Sequence, residues 1–351
     1  MNREFVKPLL EWYWENKRDL PWRDKNNAYY TWVSEIMLQQ TRVEAVKPYF
    51  LRFISELPDI HALAECPEEK LLKLWEGLGY YNRVRNLQYA ARQIEKQYGG
   101  EIPASHEELL KLKGIGSYTA GAIASIAYGI PVSAVDGNVL RVISRLTESY
   151  EDIMLQSVRK NMEKQIEEII PEKSAGDFNQ ALMELGAMIC VPNGEAKCTE
   201  CPVRQCCKAC ENHTQNNLPV KKKKQQRKIE ERTVFIIQDG AYTMIRKRPN
   251  KGLLAGLYEL PNITGHLNRE QALKIVEDMQ LEPLYIEEME PAKHIFSHIE
   301  WHMIAYRVRV SSLTSPENAD MLFVEKKQSK EKYAIPSAFS AYIKYMKEES
   351  I

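Results

Sequence analysis

Leu112-Lys113-Gly114-Ile115-Gly116-Ser117-Tyr118-Thr119-Ala120 is the stretch on which the fold turns. It closes one apolar-periodic helix, turns on Gly114 and Gly116, and opens a second helix with a small-residue face, which makes a helix-hairpin-helix. Glycine lets backbone come close to a phosphate, and the N–H groups that open the second helix are unpaired donors at a positive dipole end. Such a turn grips duplex backbone without reading sequence. Gly-x-Gly alone also fits an ordinary helix corner with glycine caps, so the flanking sequence has to decide.

Outward from the hairpin, the pattern is helical from Arg3 to about Cys210, with apolar residues three and four apart in Phe5–Trp14, Thr31–Gln40 and Glu68–Trp75. Between Thr214 and Glu231 apolar periodicity stops, and Lys221 to Lys224, Arg227 and Lys228 form a basic run that reads as a solvated spacer rather than a phosphate clamp. Beyond it, Thr233–Ile237 and Tyr242–Ile245 flank Asp239-Gly240, a hairpin signal, and Trp301–Val310 reads as a strand. Helices are predicted over Arg269–Met279 and near Ala338–Met346, so this part is α+β. The expected organisation is multi-domain: an all-α domain over 1–213 that includes the cysteine loop, a linker over 214–231 and an α+β domain over 232–351.

The 351 residues suffice for two cores, and 44% hydrophobic with 27% charged residues is a globular composition. No apolar run approaches about eighteen residues, so no membrane span is expected. Arg3, Glu4 and Lys7 interrupt the apolar stretch a signal peptide would need, which implies a cytoplasmic address, nucleoid-associated in a bacterium. With 48 basic and 48 acidic residues the net charge is zero, so any DNA surface must be local. Of seven cysteines, Cys66 stands alone and the rest fall between Cys190 and Cys210, which in such a chain points to metal rather than disulfides.

The context that decides the hairpin is Ala134-Val135-Asp136-Gly137-Asn138-Val139-Leu140-Arg141-Val142. Hairpin, second helix, Val-Asp and a terminal cysteine cluster, in this order, resemble the helix-hairpin-helix DNA glycosylase superfamily, which includes endonuclease III and MutY. The resemblance implies a catalytic role for Asp136. An Asp before a helix is also an N-cap, and helix donors beside it would keep it ionised. Tyr118 stands where endonuclease III-like enzymes carry a lysine that attacks the sugar through a Schiff base. A phenol cannot form that imine, so the implied reaction is monofunctional base excision.

Glu35 lies among apolar neighbours in Thr31-Trp32-Val33-Ser34-Glu35-Ile36-Met37-Leu38-Gln39-Gln40-Thr41-Arg42. Burial would raise its pKa and let it protonate a purine nitrogen, while an ionised Asp136 stabilises the oxocarbenium-like sugar. A lone helical Glu more often faces solvent or an ion-pair partner, and it is the family that turns the balance here. This segment, with Leu20-Pro21-Trp22-Arg23 before it and Trp75-Glu76-Gly77-Leu78-Gly79-Tyr80-Tyr81 after it, resembles the MutY-type adenine DNA glycosylases. Adenine inside a duplex must be extruded to be cut. The resemblance implies Gln40 and Tyr80 as the wedge, Leu38 beside the opened stack, and Arg23 and Asn138 lining the adenine pocket or positioning water and Asp136. Pro21-Trp22 and Tyr80-Tyr81 read equally well as core aromatics.

Cys190-x7-Cys198-x2-Cys201-x5-Cys207 approximates the spacing that holds a 4Fe-4S cluster in this superfamily, with the first gap one residue longer. Cys206 and Cys210 leave the fourth ligand open, and Cys198-x2-Cys201 with Cys207-x2-Cys210 also reads as a zinc site. The helix Phe178–Ile189 running into Cys190 matches the family and favours iron–sulfur. The cluster's implied role is to order a loop whose cations, such as Lys197 or Arg204, meet phosphate.

Arg246-Lys247-Arg248 and Gly252-Leu253-Leu254-Ala255-Gly256-Leu257-Tyr258-Glu259-Leu260-Pro261 resemble a Nudix fold. Ala272-Leu273-Lys274-Ile275-Val276-Glu277-Asp278 lacks the paired glutamates that magnesium would need, so the fold is expected to recognise rather than hydrolyse. In MutY relatives such a domain reads 8-oxoguanine, and Phe296-Ser297-His298 matches the loop that does so. Ser297 is the expected donor or acceptor to the altered purine, while His298 also reads as a plain surface histidine. The implied partner is duplex DNA carrying adenine opposite 8-oxoguanine or guanine, met by a monomer. Two other readings are an endonuclease III-like glycosylase and lyase acting on oxidised pyrimidines, and a Nudix hydrolase fused to a DNA-binding domain. Tyr118 speaks against the first, and the missing carboxylates speak against the second.

Overall fold

The computed structural model describes residues 3–23, 27–222, 226–240, 242–312, 321–325, 328–329 and 332–346. Lys223 and Lys224 of the basic run lie outside them. The chain divides into a helical unit, Met1–Cys66 with Asn82–Lys223, and a second unit, Pro67–Tyr81 with Lys224–Ile351. Among the described residues, no helix is long and apolar enough to cross a membrane.

The helical unit contains α1 (Val6–Asn16), α2 (Ala28–Leu38), α3 (Val43–Glu56) and α4 (Ile60–Glu65). After α5 (Glu68–Leu74), which falls in the second unit, it continues with α6 (Asn82–Tyr98), α7 (His106–Leu110), α8 (Ser117–Ala122), α9 (Gly137–Thr147), α10 (Gln156–Glu167), α11 (Ala175–Met188) and α12 (Lys208–Glu211). Polar caps start the helices that matter most: Asn27 accepts from the N–H groups of Tyr29 and Tyr30, and Asp136 accepts from that of Val139. Leu9 and Tyr13 of α1, Val139, Leu140 and Ile143 of α9, and Phe178, Leu182 and Leu185 of α11 close one core. Each such side chain contributes roughly 1.5–3 kcal/mol by leaving water.

The predicted hairpin is α7, a turn and α8, continued by a π-helical turn over Ile123–Ala127. Gly114 sits at φ 80°, and a Cβ there would lie 2.7 Å from the Cβ of Asn86, so both backbone conformation and space demand glycine. On α8, a Cβ at Gly121 would meet the Ser133 carbonyl oxygen at 1.9 Å. The small-residue face thus lets the hairpin helix lie directly on the strand of backbone that leads to Asp136.

The structure moves the expected domain limits. Leu218, placed in a linker by its polar neighbours, is buried; Arg145 Nε donates to its carbonyl at 3.1 Å, and the N–H of Ile153 donates to Val220 O at 3.2 Å. The segment from Thr214 to Val220 is therefore packed on the helical unit, and at the far end of the expected linker the first strand already begins at Lys228. Pro67–Tyr81, expected within the helical domain, belongs to the second unit. Its glutamates are the reason: Glu69 accepts from Lys247 Nζ at 3.2 Å and Tyr258 Oη at 3.1 Å, and Glu76 accepts from the Ile335 N–H at 2.8 Å.

The second unit is built on a sheet of order β3-β2-β1-β6-β5, with β4 also paired to β1 and β7 to β2. Its strands are β1 (Lys228–Asp239), β2 (Tyr242–Lys247), β3 (Tyr258–Glu259), β4 (Asn262–Thr264), β5 (Pro283–Ile295), β6 (Ile299–Val310) and β7 (Met321–Glu325). Asp239 pairs with Tyr242, which puts the β1–β2 turn where Asp239-Gly240 predicts it, and β1 runs parallel to β6. Helix α13 (Arg269–Asp278), begun by an Asn268–Gln271 capping box, packs with Phe235, Ile237 and Val308 on one face. Ala338, Phe339 and Tyr342 pack with Val234, Ile236 and Trp301 on the other. The helix expected near Ala338–Met346 is interrupted: a 3-10 turn at Ser337–Phe339, the single turn α14 (Ser340–Ile343) and a second 3-10 turn at Lys344–Met346.

Candidate active site

A pocket of about 660 Å³ opens among α2, α8, α9 and α11, a volume suited to a small organic group. Its walls include Arg23, Glu35, Leu38, Gln40, Tyr118, Asp136 and Asn138, so seven of the expected residues come together in the helical unit. Glu35 projects from α2 and is only 6% exposed, because its helix is buried along most of its length. Burial raises its pKa from 4.5 to about 7, while a hydrogen bond from the Tyr118 hydroxyl to Oε2 pulls the other way. Tyr118, on the first turn of α8, has its own pKa pushed well above 10 by burial and then by the nearby Glu35 and Asp136 carboxylates, so the phenol stays a donor.

Asp136 caps α9, with Oδ1 accepting from the Val139 N–H at 2.8 Å and Oδ2 from Asn138 Nδ2 at 2.7 Å. Helix donors alone would hold its pKa down, but burial outweighs them and moves it upward. Asn138 is held in turn: its Oδ1 accepts from Arg141 Nη2 at 3.0 Å, and Arg141 also bonds the carbonyls of Gly186 at 2.7 Å and Cys190 at 2.8 Å. A buried polar chain therefore runs from the Asp136 carboxylate to the first residue of the cysteine loop. The two carboxylic acids face one pocket in different settings, one stripped of donors except a phenol and one bonded to a helix start and an amide. That is the arrangement that separates acid from stabilising carboxylate.

Among the pocket-wall residues that sequence reading missed are Arg18 and Glu184. Glu184 is 1% exposed and accepts from Arg18 Nε and Nη2 and from Arg23 Nη2, all at 2.8 Å. Burial alone would raise its pKa; the two guanidinium groups more than reverse that. These partners lie 161 and 166 residues apart in the chain, and a Glu on an apolar helix gives no sign of them. The one available signal was the pair of arginines flanking Leu20-Pro21-Trp22.

At the hairpin, Gly116 is the N-cap of α8 with extended backbone, and a Cβ there would meet nothing within 4 Å, so the approach to this helix start is open. Tyr80, Phe296, Ser297 and His298 are in the second unit. Tyr80 adopts φ 48° and its hydroxyl is 3.1 Å from Ser297 Oγ. Phe296 stacks edge-on to Trp301 and His294 at 4.9 and 4.6 Å, while His298 contributes its carbonyl to the Lys228 N–H at 3.1 Å.

The cysteine loop closes around a small cavity lined by Cys190, Cys198, Cys201, Cys207 and Cys210 with Arg145 and Arg204. Cys206 is not on that wall; it packs with the apolar core near α1 and α9. Burial pushes the thiol of Cys201 up to about 12 and that of Cys207 to about 11. Arg145 Nη1 donates to Cys190 Sγ at 3.1 Å. Among the described residues, no three His, Cys, Asp or Glu side chains converge on a single ion. Thiols that surround a space rather than a point, with a guanidinium to bond sulfur, suit a multi-iron cluster, in which each thiolate takes its own metal.

Fold and pocket together define a helix-hairpin-helix base-excision protein with a Nudix-type domain attached. Residues 33–172 match the HhH-GPD superfamily base excision DNA repair protein model, and residues 233–345 match a NUDIX domain. The structure is similar to that of a thermostable thymine-DNA glycosylase, at 30% identity and TM-score 0.55 over 60% of this chain and 97% of that one. It is also similar to endonuclease III in a non-covalent DNA complex, at 25% identity and TM-score 0.51 over 61% and 98%. The adenine DNA glycosylase of Mus musculus is 33% identical over 91% of this chain and 73% of its own length. That of Buchnera aphidicola (subsp. Baizongia pistaciae) is 36% identical over 84% and 83%. The chain belongs to the adenine DNA glycosylase family.

Proposed function

We propose that the protein removes adenine mispaired with 8-oxoguanine or guanine from duplex DNA by hydrolysing its N-glycosidic bond, as a monofunctional enzyme. The observation that carries this reading is the buried Glu35, bonded by Tyr118, on the same pocket as the helix-capping Asp136. Protonated Glu35 gives its proton to a ring nitrogen of the extruded adenine, which leaves as a neutral base. Asp136, held by Asn138, faces the positive charge that grows on the sugar and guides water or bonds transiently to C1′. Tyr118 holds Glu35 in place, and Arg23, on the same pocket, acts on Glu35 through its charge. Gln40, at φ 60° two residues past α2, is a wedge residue with Leu38 beside it, and Tyr80 is the other residue assigned as a wedge. Gly114 and Gly116 let a phosphate approach α8.

In the second unit, Ser297 reads the purine opposite, Phe296 anchors the loop on Trp301, and His298 meets the backbone. Helix α13 carries Glu270, Glu277 and Asp278 as its acidic residues and lacks the paired glutamates of a Nudix hydrolase, in keeping with recognition. Cys190, Cys198, Cys201 and Cys207 would hold a 4Fe-4S cluster rather than zinc, whose bonds would cross-link the loop that carries the cations Lys197 and Arg204 assigned to phosphate. The protein works as a monomer in the cytoplasm.

A labelled duplex with adenine opposite 8-oxoguanine tests the reading: strand cleavage should appear only after alkali. Prompt scission with high-yield borohydride trapping would assign the chain to the lyase branch instead.

A further inference from the structure

A 4Fe-4S cluster takes four thiolates, yet five cysteines line the cavity. Cys207 is the N-cap of α12 and Cys210 lies on the same short helix, with the Cys210 N–H bonded to the Cys207 carbonyl at 3.1 Å. Residues three apart on a helix share a face, about 5–6 Å apart at Cβ. Cys210 and Cys198 line the same cavity. Cys206, the sixth cysteine of the loop, is not on the lining of that cavity.

We propose that Cys210 is an exchangeable ligand: it replaces Cys207 on the fourth iron, so that the cluster site survives loss of either thiol. This rests on the iron–sulfur reading of the loop. In the exchange, the Cys210 thiolate forms an iron–sulfur bond as the Cys207 bond breaks. The proton released by one sulfur is taken up by the other, and no electron is transferred. Cys190 is held by its hydrogen bond from Arg145 and its carbonyl bond from Arg141, and the Cys207 thiol donates to the Arg145 carbonyl at 3.6 Å, the contact that the exchange would give up.

The test is iron and sulfide content with visible absorbance of full-length protein carrying Cys207→Ala, Cys210→Ala, both together, or Cys206→Ala as a control. Each single variant should keep the iron content of the parent within a factor of about 1.5, whereas the double variant should lose its visible band. Loss of iron in either single variant, or retention in the double, overturns the proposal. A second readout needs no variant. Brief alkylation of the loaded parent followed by mass spectrometry should spread label over Cys207 and Cys210; label on Cys210 without Cys207 overturns exchange. A parent that carries no iron after anaerobic reconstitution sinks the cluster reading itself, which separates that failure from failure of the exchange.

Discussion

The hydroxyls of Tyr80 and Ser297 stand 3.1 Å apart although 217 residues separate them in the chain. One belongs to the Trp75–Tyr81 motif and the other to the Phe296–His298 loop, and both fall in the unit built on the mixed sheet. A reader of the opposing purine and a wedge that share a hydrogen bond would act as one element. Ser297→Ala and Tyr80→Phe should each reduce the preference for adenine opposite 8-oxoguanine over adenine opposite guanine by about tenfold or less, the worth of one hydrogen bond. Single-turnover rates on the two duplexes measure it. Equal losses on both would remove the pair from recognition.

The pKa of Glu35 makes the reaction pH-dependent. The acid form is the proton donor, so excision should decline as pH rises through about 7. Because the Tyr118 hydrogen bond lowers the Glu35 pKa, Tyr118→Phe should move this limb to higher pH. A limb that stays in place shows that another group sets it. Stability follows the same group: a folded-state pKa above the unfolded value means that its contribution is full below about pH 4.5 and is lost as pH rises to about 7. The rise corresponds to roughly 3 kcal/mol. Glu35→Gln escapes that loss, so in urea unfolding it should gain on the parent from pH 5 to 8 while losing excision.

Gly114 and Gly116 should part company. Gly114→Ala meets the Asn86 Cβ at 2.7 Å and keeps a left-handed backbone, so it should cost about 1–3 kcal/mol of stability as well as DNA affinity. Gly116→Ala meets nothing and sits in extended backbone, so it should cost no more than about 1 kcal/mol, the loss of glycine at an N-cap, while weakening binding of non-cleavable duplex. Unfolding curves and a binding titration decide; a Gly116→Ala protein with unchanged affinity would take the hairpin out of the DNA interface.

Removing Glu184 leaves two guanidinium groups facing each other beside the pocket. Glu184→Ala should cost roughly 2–4 kcal/mol, less than a wholly buried pair because Arg18 keeps 31% of its side chain in solvent. Excision should slow at least tenfold, since Arg23 loses the carboxylate that aims it. A variant with parental stability and rate would show the trio to be ornamental to both.

The helical half was legible because its chemistry sits in short local words. Glu35 amid Val33, Ile36 and Met37 read as a buried acid only through the family resemblance of its segment, whereas Asp136 before Gly137-Asn138 announces an N-cap by itself. The trio of Arg18, Arg23 and Glu184 was not legible, because it meets only after α1 and α11 have packed. The long strand β5 escaped for a different reason. Glu287, Glu288 and Glu290 along an edge exposed over most of its length give no period-two apolar signal, and only its ladder with β6 makes it a strand. The basic run hid the end of the helical unit because its charges begin at Lys221, three residues after Leu218, the residue that is buried.

The placing of Pro67–Tyr81 within the second unit bears on how the polypeptide is made. Translation delivers this segment early, with Leu71, Leu72 and Trp75 destined for burial, but the residues its glutamates and lysine bind, Lys247, Tyr258, Tyr333 and Ile335, leave the ribosome much later. A nascent chain halted midway therefore carries Glu69, Lys73 and Glu76 before these later partners exist. A gene cut at the start of the mixed sheet would make that loss permanent.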